Sequence, residues 1–174
     1  IKELLMERAT VLSTNVELNG ELAISGIAEV KTNSRSPETY FGSLRNELLA
    51  NGNVGQSGTQ SFVLPESTKA NKLYLGGTWD ITGEYAEAKA GSVLQYRYNA
   101  KEVYLVAESE SGGTIEVWQD GKKVEYEAGA DAPAGTAPIK QSRLYRLINN
   151  EKAGEHLLEL RVSPGVKLFA FTFG

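Results

Sequence analysis

The stretch "SVLQYRYNAKEVYLVAES", residues 92–109, decides how the chain folds. Its first half alternates: Leu94, Tyr96 and Tyr98 fall on one face, and Val93, Gln95 and Arg97 on the other. That period of two is what a pleated strand imposes. Its second half is apolar on both faces from 103 to 107, as a central strand should be. Outward from this stretch the same pattern recurs. "HLLELRVS" (156–163) sets Leu158, Leu160 and Val162 against Leu157, Glu159 and Arg161, and "VKLFAFTFG" (166–174) places Phe169, Phe171 and Phe173 on a single face. Shorter candidates are "TYFGS", "SFVLP", "KLYLGGTWDI" and "RLYRLIN", separated by turn signals at Ser111-Gly112-Gly113, Asp120-Gly121 and Ser163-Pro164-Gly165. About ten short strands without a long amphipathic helix predict an all-β, two-sheet antiparallel sandwich of jelly-roll type. The C-terminal strand should be central, with its three phenylalanines facing the core.

Four segments depart from this pattern. "IKELLMERA" (1–9) spaces Ile1, Leu4 and Leu5 as a helix does, yet is too short to hold a helix alone in water, so it reads as a short helical remnant. Residues 10–35 read as a linker with a marginal hairpin at Asn19-Gly20. "EAGADAPAGTAPIK" (127–140) is rich in Ala, Gly and Pro and reads as a long mobile loop. Within "SLRNELLANG" (43–52) a single helical turn is expected, ended by Asn51-Gly52.

The hairpin "GTIEVWQDGKKVEY" (113–126) carries the strongest local signal. Asp120-Gly121 supplies the two positive-φ positions of a type I′ turn, which opposes Gln119 with Lys122 and Trp118 with Lys123. Ile115, Val117 and Gln119 share one face, and Trp118 joins Glu116 on the other. Trp118 therefore either covers a sheet edge on the stem of Lys123 or offers a platform to a sugar or a partner; the covering role is favoured. In "LYLGGTWDITGEYA" (73–86), Gly76-Gly77 suggests a bulge that would gather Trp79, Asp80 and Tyr85 near one end of the sandwich. A sugar ring stacks on aromatics while carboxylates and amides take its hydroxyls, so Trp79, Asp80, Tyr85, Trp118 and Gln119 are the candidate ligand-binding residues. The competing reading has Trp79 capping the core and Asp80 starting a turn.

Composition closes off several functions. A chain of 174 residues with 41% hydrophobic content has room for one domain with a real core. The net charge of −4 comes without a basic stripe, which sets nucleic acid aside as a partner. There is neither an apolar run long enough to cross a bilayer nor a signal-peptide pattern. With no cysteine, thiol redox chemistry and thiolate metal sites are excluded within this chain, and the single His156, expected to be exposed, rules out a multi-histidine metal site. Asp131 alone offers only the faintest calcium signal. Carboxylates at Asp80, Glu84, Glu87, Glu108, Glu110, Glu116 and Asp120 are plentiful, but a glycosidase pair needs two held across a cleft, and solvated strand faces account for them. No catalytic residue, cofactor or metal is assigned.

Several stretches, in order, resemble the C-terminal domain of the DipZ-type thiol-disulfide proteins: "SPETYFG" (36–42), "VLPESTKANKLYLGGTWDI" (63–81), "LQYRYNAKEVYLV" (94–106), "VWQDGKKV" (117–124), "RLYRLIN" (143–149) and "SPGVKLFAFTFG" (163–174). In that family a transmembrane electron-transfer domain is followed by a thioredoxin-like domain and then a carbohydrate-binding-module-like jelly roll. The resemblance implies that 1–9 ends the last helix of a thioredoxin-like domain, that 10–35 is the tether, and that 36–174 is the sandwich. It also implies an extracytoplasmic setting within a membrane-anchored parent. The redox cysteines belong to the missing domain, so this chain is expected to be a non-catalytic accessory module. It would dock against the thioredoxin-like domain or a redox partner. The alternatives are a module that recognises a cell-wall or extracellular glycan and, third, a carboxylate-pair glycan hydrolase.

Overall fold

A computed structural model of the protein describes residues 35–174. The expected helical remnant over 1–9 and all but the last residue of the expected linker lie outside the described residues. Ten strands follow one another: β1 (Thr39–Tyr40), β2 (Gly58–Phe62), β3 (Leu73–Ile81), β4 (Ala86–Ala88), β5 (Val93–Glu108), β6 (Gly113–Gln119), β7 (Lys122–Lys123), β8 (Thr136–Ile139), β9 (Arg143–Val162) and β10 (Lys167–Phe173). The strand pairings between them are antiparallel.

The two halves of 92–109 form one strand, and β5 pairs with β9 from Val93↔Arg161 to Ala107↔Arg143. Different neighbours flank the two ends of this ribbon. β3 lies beside residues 93–96 of β5 and β6 beside residues 158–162 of β9, whereas β10 lies beside residues 103–108 of β5. β4 pairs with both β3 and β10, so hydrogen bonding runs unbroken from one layer to the other. The result is a jelly-roll sandwich whose two sheets share a ribbon and enclose one core, with Trp79, Tyr96, Tyr98, Leu105, Leu160 and Phe171 fully buried in it.

The ribbon changes phase where it passes between layers. Leu94, Tyr96, Tyr98 and Ala100 point inward, then Val103, Leu105 and Ala107 do, with exposed Lys101 at the slip. The register shifts there too, since Ala100 pairs with Gly154 but Glu102 with Asn149. A bulge of this kind bends a strand and frees backbone groups. The C-terminus takes them up: the Lys101 and Glu102 amides donate to the Gly174 carbonyl at 2.9 and 3.0 Å.

Four local expectations are corrected. Residues 103–107 are not covered on both faces, because Tyr104 and Val106 stay half-buried. Phe171 and Phe173 enter the core but Phe169 does not; a register shift between Leu168 and Ala170 turns it to the outer face. Segment 127–140 is largely anchored: β8 pairs with β6, and Ala132, Ala137 and Ile139 are fully buried, because small residues let the chain lie close to its neighbours. Residues 43–52 form turns without a helix, and Asn51 ends them by clamping β3. Its side chain donates to the Leu75 carbonyl at 2.7 Å and accepts from the Leu75 amide at 3.0 Å.

Candidate functional site

At the tip of β6–β7, Asp120 and Gly121 have φ of 51° and 79°, as a type I′ turn requires, and Trp118 faces Lys123 across the ladder. The Asp120 carboxylate reaches back to β9, accepting from the Leu157 amide at 2.8 Å and meeting His156 Nδ1 at 2.7 Å. His156 is thereby held half-buried, not freely exposed. Trp118 is half-buried as well. The Arg161 guanidinium lies 4.1 Å from its ring centre, and its Nε1 donates to Glu116 at 3.4 Å. Gln119 turns inward, where its amide accepts from the Tyr98 hydroxyl and donates to Asn150 at 2.9 Å. Burial pushes the Tyr98 hydroxyl pKa up, so this network remains neutral.

The other candidates lie apart from this hairpin. Trp79 is 0% exposed and donates from Nε1 to the Gly76 carbonyl at 2.9 Å, so it caps the core and presents no face for stacking. Asp80 points the other way from β3 and accepts from Thr59 at 3.4 Å. Tyr85 packs on Phe169 with ring centres 5.4 Å apart. Between β3 and β6 the sheet inserts β5 and β9, a separation of about 14 Å. The five candidates do not converge on one surface.

What the structure does assemble is an apolar row on the outer face of the second sheet. Tyr40 pairs with Ala170, Ala170 with Val106, and Val106 with Leu144. Directly paired residues share a face, and the flanking Leu105 and Ala107 fill the core, so this row faces outward across four strands over about 14 Å. The bulge adds Phe169, and the 42–45 loop adds Leu44, which is 77% exposed. Leu44 is nevertheless fixed: the Ser43 and Leu44 amides donate to the Thr82 and Gly83 carbonyls at 2.8 and 3.1 Å. Gly42 allows that contact, because a Cβ there would lie 2.4 Å from the Gly83 carbonyl oxygen. Together Tyr40, Leu44, Gly83, Val106 and Phe169 line a groove of about 430 Å³.

Charges rim the row. The Arg45 guanidinium sits 3.4 Å over the Tyr40 ring, and the Tyr40 hydroxyl donates to Glu38 at 2.5 Å, a bond that raises the phenol pKa. Lys167 joins Glu110 at 2.8 Å and Glu108 at 3.4 Å; the hydrogen bond to Glu110 comes first in holding its ammonium pKa well above the ordinary value. Asp131 is bound by Arg143 at 2.8 Å and by the Arg146 amide at 2.8 Å, and Arg143 chiefly lowers its pKa. Among the described residues no group of three or more His, Asp or Glu is placed to hold a metal ion, and no helix is long and apolar enough to cross a membrane.

Sequence reasoning missed this row because Val106 and Phe169 read as core and Leu44 as part of a helical turn. One signal pointed to it. In "RLYRLIN", Leu144 shares its phase with Arg146 and opposes buried Tyr145 and Leu147, an apolar residue on the polar side of its strand.

The family model described as "Thioredoxin like C-terminal domain" matches residues 36–174. Protein DipZ of Mycobacterium tuberculosis and of Mycobacterium bovis are each 29% identical to the chain over 140 residues, covering 80% of it. The chain spans only 18% of the length of those relatives. Among solved structures, a family two carbohydrate esterase from Cellvibrio japonicus superposes with a TM-score of 0.46 at 17% identity, over 68% of this chain and 34% of that one. A family 6 carbohydrate-binding module gives a TM-score of 0.36 at 16% identity, over 68% of this chain and 93% of that one.

Proposed function

The chain belongs to the thioredoxin-like C-terminal domain family, and from that premise we propose that it is a non-catalytic accessory module that docks the thioredoxin-like domain of its own polypeptide. The observation that carries this reading is the row Tyr40–Ala170–Val106–Leu144 with Phe169 and Leu44 beside it. An outward apolar row with charged residues at its rim has the anatomy of an interface. Its edge strand β1 begins four residues after Arg35, the last residue of the expected tether, so the row is within reach of a preceding domain. A rigid exposed leucine adds to this, because a preorganised contact loses little entropy on binding.

Further features support a module without chemistry of its own. The chain has no cysteine to attack a disulfide. Glu87, Glu108, Glu110, Glu116, Asp131 and Glu159 are each tied to a Lys or Arg, which leaves them poorly suited to an acid–base pair. In keeping with the DipZ-type resemblance, the parent is membrane-anchored and holds this domain on the extracytoplasmic side. A glycan site built from Trp79, Tyr85 and Trp118 needs all three on one surface, and they do not share one.

Hydrogen exchange tests the docking. Amides in 39–45, 103–108, 143–146 and 167–172 should exchange more slowly in a polypeptide containing the thioredoxin-like domain than in this domain alone. The double variant Leu44→Glu, Leu144→Glu should remove that protection without lowering Tm, since both side chains are exposed. Equal exchange with and without the neighbouring domain would defeat the proposal.

A further inference from the structure

Two different pieces of chain close the edge of β3. β2 pairs with it from Gly77 to Ile81. Along residues 73–75 the segment 48–51 takes over: the Leu73 amide donates to the Leu48 carbonyl at 2.9 Å, and the Ala50 amide to the Leu73 carbonyl at 2.8 Å. Asn51 fastens the end of that segment. Its side chain donates to the Val63 and Leu75 carbonyls at 3.0 and 2.7 Å and accepts from the Leu75 amide at 3.0 Å. Three such bonds need a group with two donors and an acceptor, which a side-chain amide supplies. We propose that Asn51 is also a modification site: once this latch opens, it cyclises onto the Gly52 nitrogen and deamidates, releasing 48–51 from β3 irreversibly. This does not depend on the docking reading.

The residue that follows makes the reaction possible. Glycine leaves its own nitrogen unshielded, because it has no Cβ. Gly52 is exposed, and among the described residues its amide makes no hydrogen bond, so a base can reach the proton. Packing keeps a glycine there, since a Cβ would lie 2.5 Å from a ring carbon of buried Phe62. The reactive pair is thus fixed from both sides, Asn51 by the latch and Gly52 by the ring. In the reaction the Gly52 nitrogen gives up its proton and bonds to Asn51 Cγ. The Cγ–Nδ2 bond breaks, and Nδ2 leaves as ammonia with that proton. Water then opens the cyclic imide at either carbonyl, giving an aspartate or an isoaspartate at position 51. One water is consumed and one ammonia released, and nothing is oxidised or reduced.

The same latch holds the reaction back. Attack requires the Asn51 side chain to turn onto its own main chain, and its three hydrogen bonds hold it against β3 and Val63. The folded rate is therefore the intrinsic rate multiplied by the fraction of molecules with the latch open. Afterwards the latch cannot reform. A carboxylate still accepts from the Leu75 amide, but it has no donor for the Leu75 and Val63 carbonyls and sets a negative oxygen against both. An isoaspartate also adds a carbon to the main chain between Ala50 and Gly52. Residues 73–75 of β3 are then left as an open sheet edge.

Mass spectrometry follows the conversion. The intact chain and a synthetic peptide of residues 46–57 would be incubated side by side in warm, mildly alkaline buffer, with digestion separating Asn51-Gly52 from Asn19-Gly20. Asn51 should convert in both, at least about tenfold more slowly in the folded chain. Urea well below the unfolding midpoint should accelerate the folded chain and leave the peptide rate unchanged. The purified modified chain should melt at a lower temperature and exchange its Leu73 and Leu75 amides faster, with the Asp120-Gly121 hairpin unaffected. Asn51→Asp should reproduce both effects without incubation; if that variant does not fold, the modified parent chain decides the matter. The proposal is overturned if Asn51 of the folded chain does not convert even in urea, or if it converts as fast as in the peptide. It is equally overturned if the modified chain keeps its Tm and its exchange at Leu73 and Leu75.

Discussion

Two glycines with nearly equal φ should respond very differently to a methyl group. Gly77 has φ 74° and Gly121 φ 79°, so an alanine at either adopts a left-handed backbone at a cost of about 1–2 kcal/mol. At Gly121 that is the whole effect, because an added Cβ meets nothing within 4 Å. At Gly77 the Cβ would lie 2.1 Å from the Gly91 carbonyl oxygen and 2.5 Å from its carbon, both rigid backbone. Relieving that overlap means separating β3 from the 89–92 turn, which is joined to Thr78 by bonds of 3.1 and 3.0 Å. Overpacking adds about 1–3 kcal/mol, and two weakened hydrogen bonds add about 1 kcal/mol each. Gly77→Ala should therefore cost about 4–7 kcal/mol against about 1–2 for Gly121→Ala. Urea denaturation with an unchanged m-value measures both. In thermal melts the losses correspond to a few degrees for Gly121→Ala and more than about 10 °C for Gly77→Ala. Equal losses would show that the 89–92 turn gives way freely, and the clash argument would fail.

Two further substitutions probe the second sheet and its charges. Phe171→Ala should cost about 3–5 kcal/mol, and Phe169→Ala about 1 kcal/mol because its ring is already half in water; the reverse order would refute the outward turn at Phe169. Asp131 has its folded-state pKa lowered, first by the Arg143 hydrogen bond, so its stabilisation is present above the unfolded value near ~3.9 and lost as pH falls through the folded one. Asp131→Asn should thus be less stable than the parent at neutral pH and converge with it in strong acid, and a gap that persists in acid would contradict this.

Strand identity was legible wherever alternation was uninterrupted. Leu94, Tyr96 and Tyr98, then Leu158, Leu160 and Val162, are buried on the face their period predicts. The Asp120-Gly121 turn was equally legible, because positive φ at two successive positions is demanded by local chemistry alone. What could not be read were the places where tertiary pairing overrides the local period. "GADAPAGTAPIK" has the composition of a loop, yet β8 exists because β6 offers it an open edge. Trp79 was legible only as a choice between core and surface. The choice was settled by its parity on a nine-residue strand that the glycine pair did not interrupt.

The outer apolar row lies on the same side of this divide. A strand that alternates without a fault sends one set of side chains to the core and leaves the other set to water. The row exists because two strands break that rule. The slip at Lys101 moves Val106 to the outer phase of β5, and the shift beside Phe169 turns a phenylalanine outward on β10. Each break also resets the inward phase beyond it, so that Leu105 and Ala107 on β5 and Phe171 and Phe173 on β10 reach the core. What the shift on β10 leaves over is the Phe169 ring, half-buried on the outer face, and covering the remainder of its apolar surface would be favourable. Both faults place apolar side chains on one face, beside a leucine locked outward by Gly42 and Gly83. Their convergence, more than the size of the groove, is the physical argument behind the proposed docking at this face.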